Sequence, residues 1–90
     1  MKITEVIKAV LSDGCKLVRV RSKGDMRSRT PWEYDVKDGS SGKKKGWFYF
    51  DSFTASGMSA VHNALRPDLQ VTFDCLSLPT LIDFTWKHVK

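Results

Sequence analysis

Cysteine is scarce in this 90-residue chain: Cys15 and Cys75 are the whole complement. Two well-separated cysteines without a secretory segment read as reduced thiols packed as small hydrophobes, not as a disulfide framework. Long apolar runs are also missing. The longest are about as short as Trp47-Phe48-Tyr49-Phe50, whereas a membrane helix needs roughly 20 residues. The chain opens Met1-Lys2-Ile3-Thr4-Glu5 and meets an acidic residue before any apolar leader. A targeting segment is therefore not expected, and the expected location is the cytoplasm. Internal repeats are absent.

Recognisable reaction chemistry is lacking too. Gly39-Ser40-Ser41-Gly42-Lys43 lacks the spacing of a phosphate-binding loop and follows no parallel strand. Zinc needs three or four ligands, and Cys15, His62, Cys75 and His88 fit no common spacing. His62 reads as a histidine at the border of an apolar helix face. His88 reads as a structural residue in the last helical turn, where a protonated imidazole suits the helix dipole. Asp74 and Asp83 have no neighbouring carboxylate that would divide acid and base roles. A chain this short has little room for both a core and a deep pocket. The expectation is a protein that is not an enzyme and that uses no cofactor or metal.

What is present is an ordinary globular balance, with 41% apolar and 28% charged residues. The length fits one domain over residues 1–90. Ile3, Val6, Ile7, Val10 and Leu11 recur at helical spacing, which predicts a helix over 4–12 capped by Thr4 and ended by Gly14. Alternation predicts strands over 15–22, 32–36 and 47–50. In the second strand Trp32, Tyr34 and Val36 share a face. The third is aromatic on both faces, so something besides one helix layer must cover it: the other helices, or a partner.

Asp51 or Ser52 caps a second helix over about 53–65, with Phe53, Gly57, Ala60, Val61, Ala64 and Leu65 as its apolar side. Residues 68–76 suit a strand or a helix; the Pro67-Asp68 start favours the helix. A last helix runs from about 79 to 89, with Leu78, Leu81, Ile82, Thr85 and Val89 inward. The fold class is α+β: an α-β-β-β-α order with a three-stranded antiparallel sheet, plus one or two short C-terminal helices. Short sequential strands predict a meander with the helices on one face.

Charge is unevenly placed. Residues 14–46 carry ten cations and four carboxylates, a net of +6, within a chain whose total is +5. Arg19, Arg21, Lys23, Arg27, Arg29, Lys43, Lys44 and Lys45 mark a basic hairpin surface suited to nucleic-acid phosphates or to an acidic protein surface. Arg can grip such groups with two parallel hydrogen bonds. Trp32, Tyr34, Trp47 and Tyr49 interleave with these cations and are candidates for stacking or for an interface, although a small domain first needs its aromatics inside.

Over about residues 4–65 the element order resembles that of the double-stranded-RNA-binding domain. At the start of the second helix, where such domains place a lysine cluster against the RNA, this chain reads Phe53-Thr54-Ala55-Ser56-Gly57-Met58. It carries no lysine there and continues with further helices after Leu65, so membership is not inferred. The leading expectation is a non-enzymatic protein that contacts nucleic acid. The alternative is an inhibitor or adaptor of a nucleic-acid-handling complex, of the kind phage and mobile-element accessory genes use against host defence. That alternative predicts a stoichiometric complex with an acidic partner, or a homodimer through an exposed Trp/Phe patch. An enzyme ranks last and would need a perturbed His62 or Cys75.

Overall fold

Apolar residues at helical spacing fall on one side of the first helix, and that side is where the molecule closes. The computed structural model describes residues 1–88; Val89, expected to face inward, Lys90 and the His88 side chain lie outside the described residues. The order is α1 (Ile3–Asp13), β1 (Lys16–Ser22), β2 (Glu33–Asp38), β3 (Phe48–Phe50), α2 (Ser52–Ala64), α3 (Pro67–Asp74) and α4 (Leu78–His88). This is an α+β fold with a three-stranded antiparallel sheet and C-terminal helices. Residues 67–74 are helical, as the Pro67-Asp68 start predicts.

In α1, Ile3, Val6, Ile7 and Val10 are buried, while Leu11 at the edge of the stripe is exposed. Lys2, not Thr4, holds the N-cap position, and its amide donates to the Glu5 carboxylate at 3.0 Å. Gly14 ends the helix with φ 97° and ψ −167°. Only glycine enters that region cheaply, and it is an extended mirror-image conformation, not the left-handed helical one of a common C-cap.

The sheet is not the expected meander. Its order is β2-β1-β3, with β1 in the centre and antiparallel to both neighbours. The nine residues between β2 and β3 are too many for a tight hairpin, which favours two to five. They are enough to cross two strand spacings of about 5 Å each. The longest strand, with Leu17 and Val18 buried on opposite faces, therefore takes the central place.

The alternation of β1 sorts the two faces. Val18 packs into the core with Tyr34, Phe50, Ile3, Val6, Ile7, Val10, Ala55, Met58, Val61, Phe73, Leu78 and Leu81. The helices thus cover one face of the sheet. Leu17, Arg19, Asp35 and Lys37 lie on the other, and Leu17 is fully buried there.

The apolar side expected for α2 is corrected. Ala55, Met58 and Val61 face inward, whereas Ala60 and Ala64 are exposed and Phe53 is 72% exposed. The helix starts at Asp51, whose carboxylate accepts from the Thr54 amide at 2.8 Å. With Ala55, Met58 and Val61 turned to the core, Phe53 lies off that stripe.

Candidate functional site

The basic residues lie on three adjacent parts of the molecule. The first is the outer face of the sheet. Here the chain between β2 and β3 folds back, and the Trp47 ring sits between the Arg19 guanidinium at 4.3 Å and the Lys37 ammonium at 4.1 Å. These cations belong to β1 and β2, so the indole bridges the two strands on the face away from the helices. Arg19 also meets Asp35, its cross-strand neighbour, at 3.3 Å. Arg21 occupies an irregularity in the ladder: Val20 pairs with Tyr34 and Ser22 with Glu33, leaving Arg21 unpaired between them. Such a bulge re-aims side chains locally.

The second part is the crossover. Lys43, Lys44 and Lys45 line one concavity of about 540 Å³ with Trp47, Phe48 and Tyr49. A turn opens this segment, with the Gly39 amide donating to the Cys15 carbonyl at 3.0 Å. Gly39 is needed for that close approach, because a Cβ there would come within 2.8 Å of the same carbonyl oxygen.

The third part is the tip between β1 and β2. Asp25 and Thr30 exchange backbone hydrogen bonds at 2.9 Å, and the Asp25 carboxylate accepts from the Arg27 amide at 3.0 Å. The segment is thus a closed hairpin loop that presents Arg27 and Arg29 at its tip. Arg29 has φ 56°, in the left-handed region. The tip lies beyond Ser22, whereas the crossover enters β3 level with Val18. Four strand residues, about 13 Å, separate the two levels along β1.

Among the described residues the ion pairs are Lys16–Asp13, Arg19–Asp35, Arg66–Asp68 and Lys87–Asp83. Arg21, Lys23, Arg27, Arg29, Lys37, Lys43, Lys44 and Lys45 are all exposed and are in none of these pairs. Lys37 is the member that sequence reasoning left out. Its signal was only its place in the charge count, because the cation–π contact depends on the crossover.

The four aromatics do not form an open stacking surface. Tyr34 is a correction: it is 2% exposed, on the core face, and its hydroxyl has no hydrogen-bond partner among the described residues. Burial pushes its pKa up to about 12, with the Leu78 amide opposing and Asp74 adding to the rise. Trp32 is half-buried and structural. Its indole N–H donates to the Cys75 carbonyl and its amide to the Asp74 carbonyl, each at 3.0 Å. Trp47 is held between two cations, and Tyr49 is half-buried beside Cys15. Contact with a polyanion would therefore rely on charge.

Two further hollows lie elsewhere. A polar cleft of about 480 Å³ between α1, α2 and α3 includes Ser59, His62, Gln70 and Asp74. Burial raises the Asp74 carboxyl pKa, opposed by the charges of His62 and Lys2. No hydrogen bond joins Ser59, His62 and Asp74 into a relay; Gln70 instead donates to the His62 backbone carbonyl at 3.0 Å. Cys75 is buried, and desolvation raises its thiol pKa, which disfavours a reactive thiolate.

The second hollow is an apolar groove of about 590 Å³ between the sheet and α4, lined by Val18, Val20, Phe48, Leu78, Ile82 and Trp86 among others. Phe48 and Trp86 were not among the sequence candidates. The aromatic run over residues 47–50 was the one hint that β3 needs extra cover.

Cys15 and Cys75 are free thiols. Among the described residues no helix is long and apolar enough to cross a membrane, and no three of His, Cys, Asp and Glu gather as a metal cage would require. Comparisons with protein-family models, with curated proteins and with solved structures find no match to this chain.

Proposed function

We propose that this protein is a non-enzymatic binder of nucleic acid that contacts the phosphate backbone through its basic sheet face, crossover and hairpin tip. The observation that carries the reading is that eight of the ten exposed cations in no ion pair among the described residues lie on β1, β2 and their loops, the other two being Lys2 and Lys8 at α1. Surface cations scattered for solubility are usually interspersed with carboxylates. Here they collect on the side away from the helices and at its two loops, a layout that supports attraction of a polyanion. The sheet aromatics are largely engaged inside the fold, so the reading favours backbone contact over base stacking and carries no base preference.

The test is fluorescence anisotropy with labelled single- and double-stranded DNA and RNA, at about 50 and 200 mM salt. If five cations meet duplex phosphates, the log–log salt slope is about −4.5, a loss of roughly 500-fold across that range. Alanine at Lys43, Lys44 and Lys45, together with Arg27→Ala and Arg29→Ala, is expected to abolish binding and leave the thermal transition within a few degrees. Flat traces at both salts for every nucleic acid would overturn the reading. The acidic-protein alternative would then take its place.

A further inference from the structure

β1 is longer than the strand that pairs with it on one side. β3 pairs with only Lys16, Leu17 and Val18; before it the chain leaves the ladder, with the Trp47 ring over the outer face and Gly46 at the edge of the groove beside Val20. The hydrogen-bonding direction at Val20 follows from its neighbour across β2. The Tyr34 amide and carbonyl both bond outward, to Met1, at 2.8 Å each. Tyr34 and Val20 are therefore a non-hydrogen-bonded antiparallel pair, and the Val20 N–H and C=O point the opposite way, toward the side that β3 leaves empty. No described residue pairs with Val20 on that side.

The apolar groove lies beside this gap. Val20 and Phe48 stand on its sheet side and Leu78, Ile82 and Trp86 on its α4 side. Val20, Phe48 and Trp86 remain 43%, 39% and 38% exposed. Asp83 is at the rim, but Lys87 holds it at 3.1 Å, so the acidic charge there is compensated. The opposite face of the same stretch carries Arg19, which meets Asp35 and the Trp47 ring, and Arg21, which is in no ion pair among the described residues.

We infer that this gap is a docking slot for an extended acidic segment of a partner protein, which adds as a short strand against Val20, Arg21 and Ser22. Strand period sets the pattern it must carry. The residue opposite Val20 exchanges main-chain hydrogen bonds with it and sends its side chain into the groove, so it is large and apolar. The residues before and after it point to the outer face, beside Arg19 and Arg21, so they are Asp or Glu. The motif is acidic–apolar–acidic. Nucleic acid has no strand edge to offer the Val20 amide and no side chain for the groove. The slot is thus distinct from the proposed phosphate contacts, although Arg21 borders both.

The probe is a fluorescein-labelled nonapeptide of Thr and Val with Glu-Phe-Glu at its centre. It is compared with a Lys-Phe-Lys version, a Glu-Ala-Glu version and one N-methylated at the central Phe. Each control is expected to bind at least tenfold more weakly than Glu-Phe-Glu, because each removes one of charge, groove anchor and main-chain bond. Val20→Glu and Trp86→Ala change exposed side chains, and both are expected to weaken the peptide at least fivefold; Trp86→Ala, which alters no charge, is expected to leave any DNA binding unchanged. Amide shifts on titration are expected at Val20, Ile82 and Trp86. Equal binding of the N-methylated or lysine versions, or no binding by any peptide at millimolar concentration, would overturn the slot. So would a concentration-dependent dimer that the Val20→Glu change abolishes and the peptide fails to compete away, since a second copy of the chain would then be the occupant. Loss of DNA binding in Arg27→Ala/Arg29→Ala with peptide binding intact would separate the two sites.

Discussion

Two buried polar groups show how single residues set limits on this fold. The Asp74 carboxyl is half withdrawn from water, and one of its oxygens has no partner among the described residues. Burial raises its pKa, so the folded state holds the proton more tightly than the unfolded chain. The stability it contributes is complete below the unfolded pKa of about 4 and is lost as pH rises through the raised folded value. Asp74→Asn removes that cost. Its melting temperature is expected to exceed that of the parent at pH 7, with the advantage shrinking toward pH 3.5 in paired thermal scans. Tyr34 presents the same logic for a phenol. With its pKa near 12, it stays neutral through the range where exposed tyrosines ionise near pH 10, and its contribution is lost as pH climbs through the raised value. Its ring fills the core while its hydroxyl bonds to nothing described. Tyr34→Phe is expected to change stability by less than about 1 kcal/mol, whereas Tyr34→Ala costs roughly 3–5 kcal/mol, as chemical denaturation would measure. The sequence placed Tyr34 on a face with Trp32 and Val36. Alternation groups these residues but carries no sign, so the face that meets the helices is decided by packing.

Among the elements, the crossover between β2 and β3 is the one whose role local pattern misses. Its Gly, Ser and Lys residues carry no periodic pattern, and its last residue, Trp47, which alternation assigned to the third strand, instead closes the outer face. Trp47 sits on Arg19 and Lys37, on the face where Leu17 is fully buried. Trp47→Ala is expected to cost on the order of 2–4 kcal/mol in urea unfolding, from lost burial and two cation–π contacts. Trp47→Leu keeps most of the cover and is expected to lose about 1–2 kcal/mol, the cation–π share. A Trp47→Leu loss near zero, beside a full loss for Trp47→Ala, would show that the cations contribute nothing. Helices were more legible than strands here. Apolar spacing and the Asp51, Pro67 and Gly14 signals located all four to within a few residues, because caps and helical period are local properties. The inward side of α2 was misplaced, since Phe53 is apolar in sequence yet stacks on the exposed Trp86 at 5.4 Å. Burial there depends on what α4 leaves uncovered.

At the scale of the whole molecule, helices occupy one side of the sheet, and most of the unpaired cations gather on the other side and its loops, with Lys2 and Lys8 at α1 apart from them. That separation predicts different responses to salt: binding of a polyanion weakens steeply as salt rises, while folding stability changes little, since three of the four ion pairs among the described residues are exposed and the fourth, Lys16–Asp13, is long at 3.8 Å. Thermal scans from about 50 to 500 mM salt are expected to move the transition by only a few degrees. The cationic half was legible in the sequence, because charge counts along a chain survive any packing. Three of the four helices, the three strands and the α+β class were legible for the same kind of reason: spacing, caps and alternation act between residues a few positions apart; residues 68–76 suited a strand as well, and the Pro67-Asp68 start alone favoured the helix found there. Tertiary structure alone decided that β1 is central, that Trp47 lies between Arg19 and Lys37, that Tyr34 is core, and that Val20 faces a gap beside α4. These depend on strand order and on contacts between residues far apart in the chain, which a long, open connection leaves to the competition among packed faces.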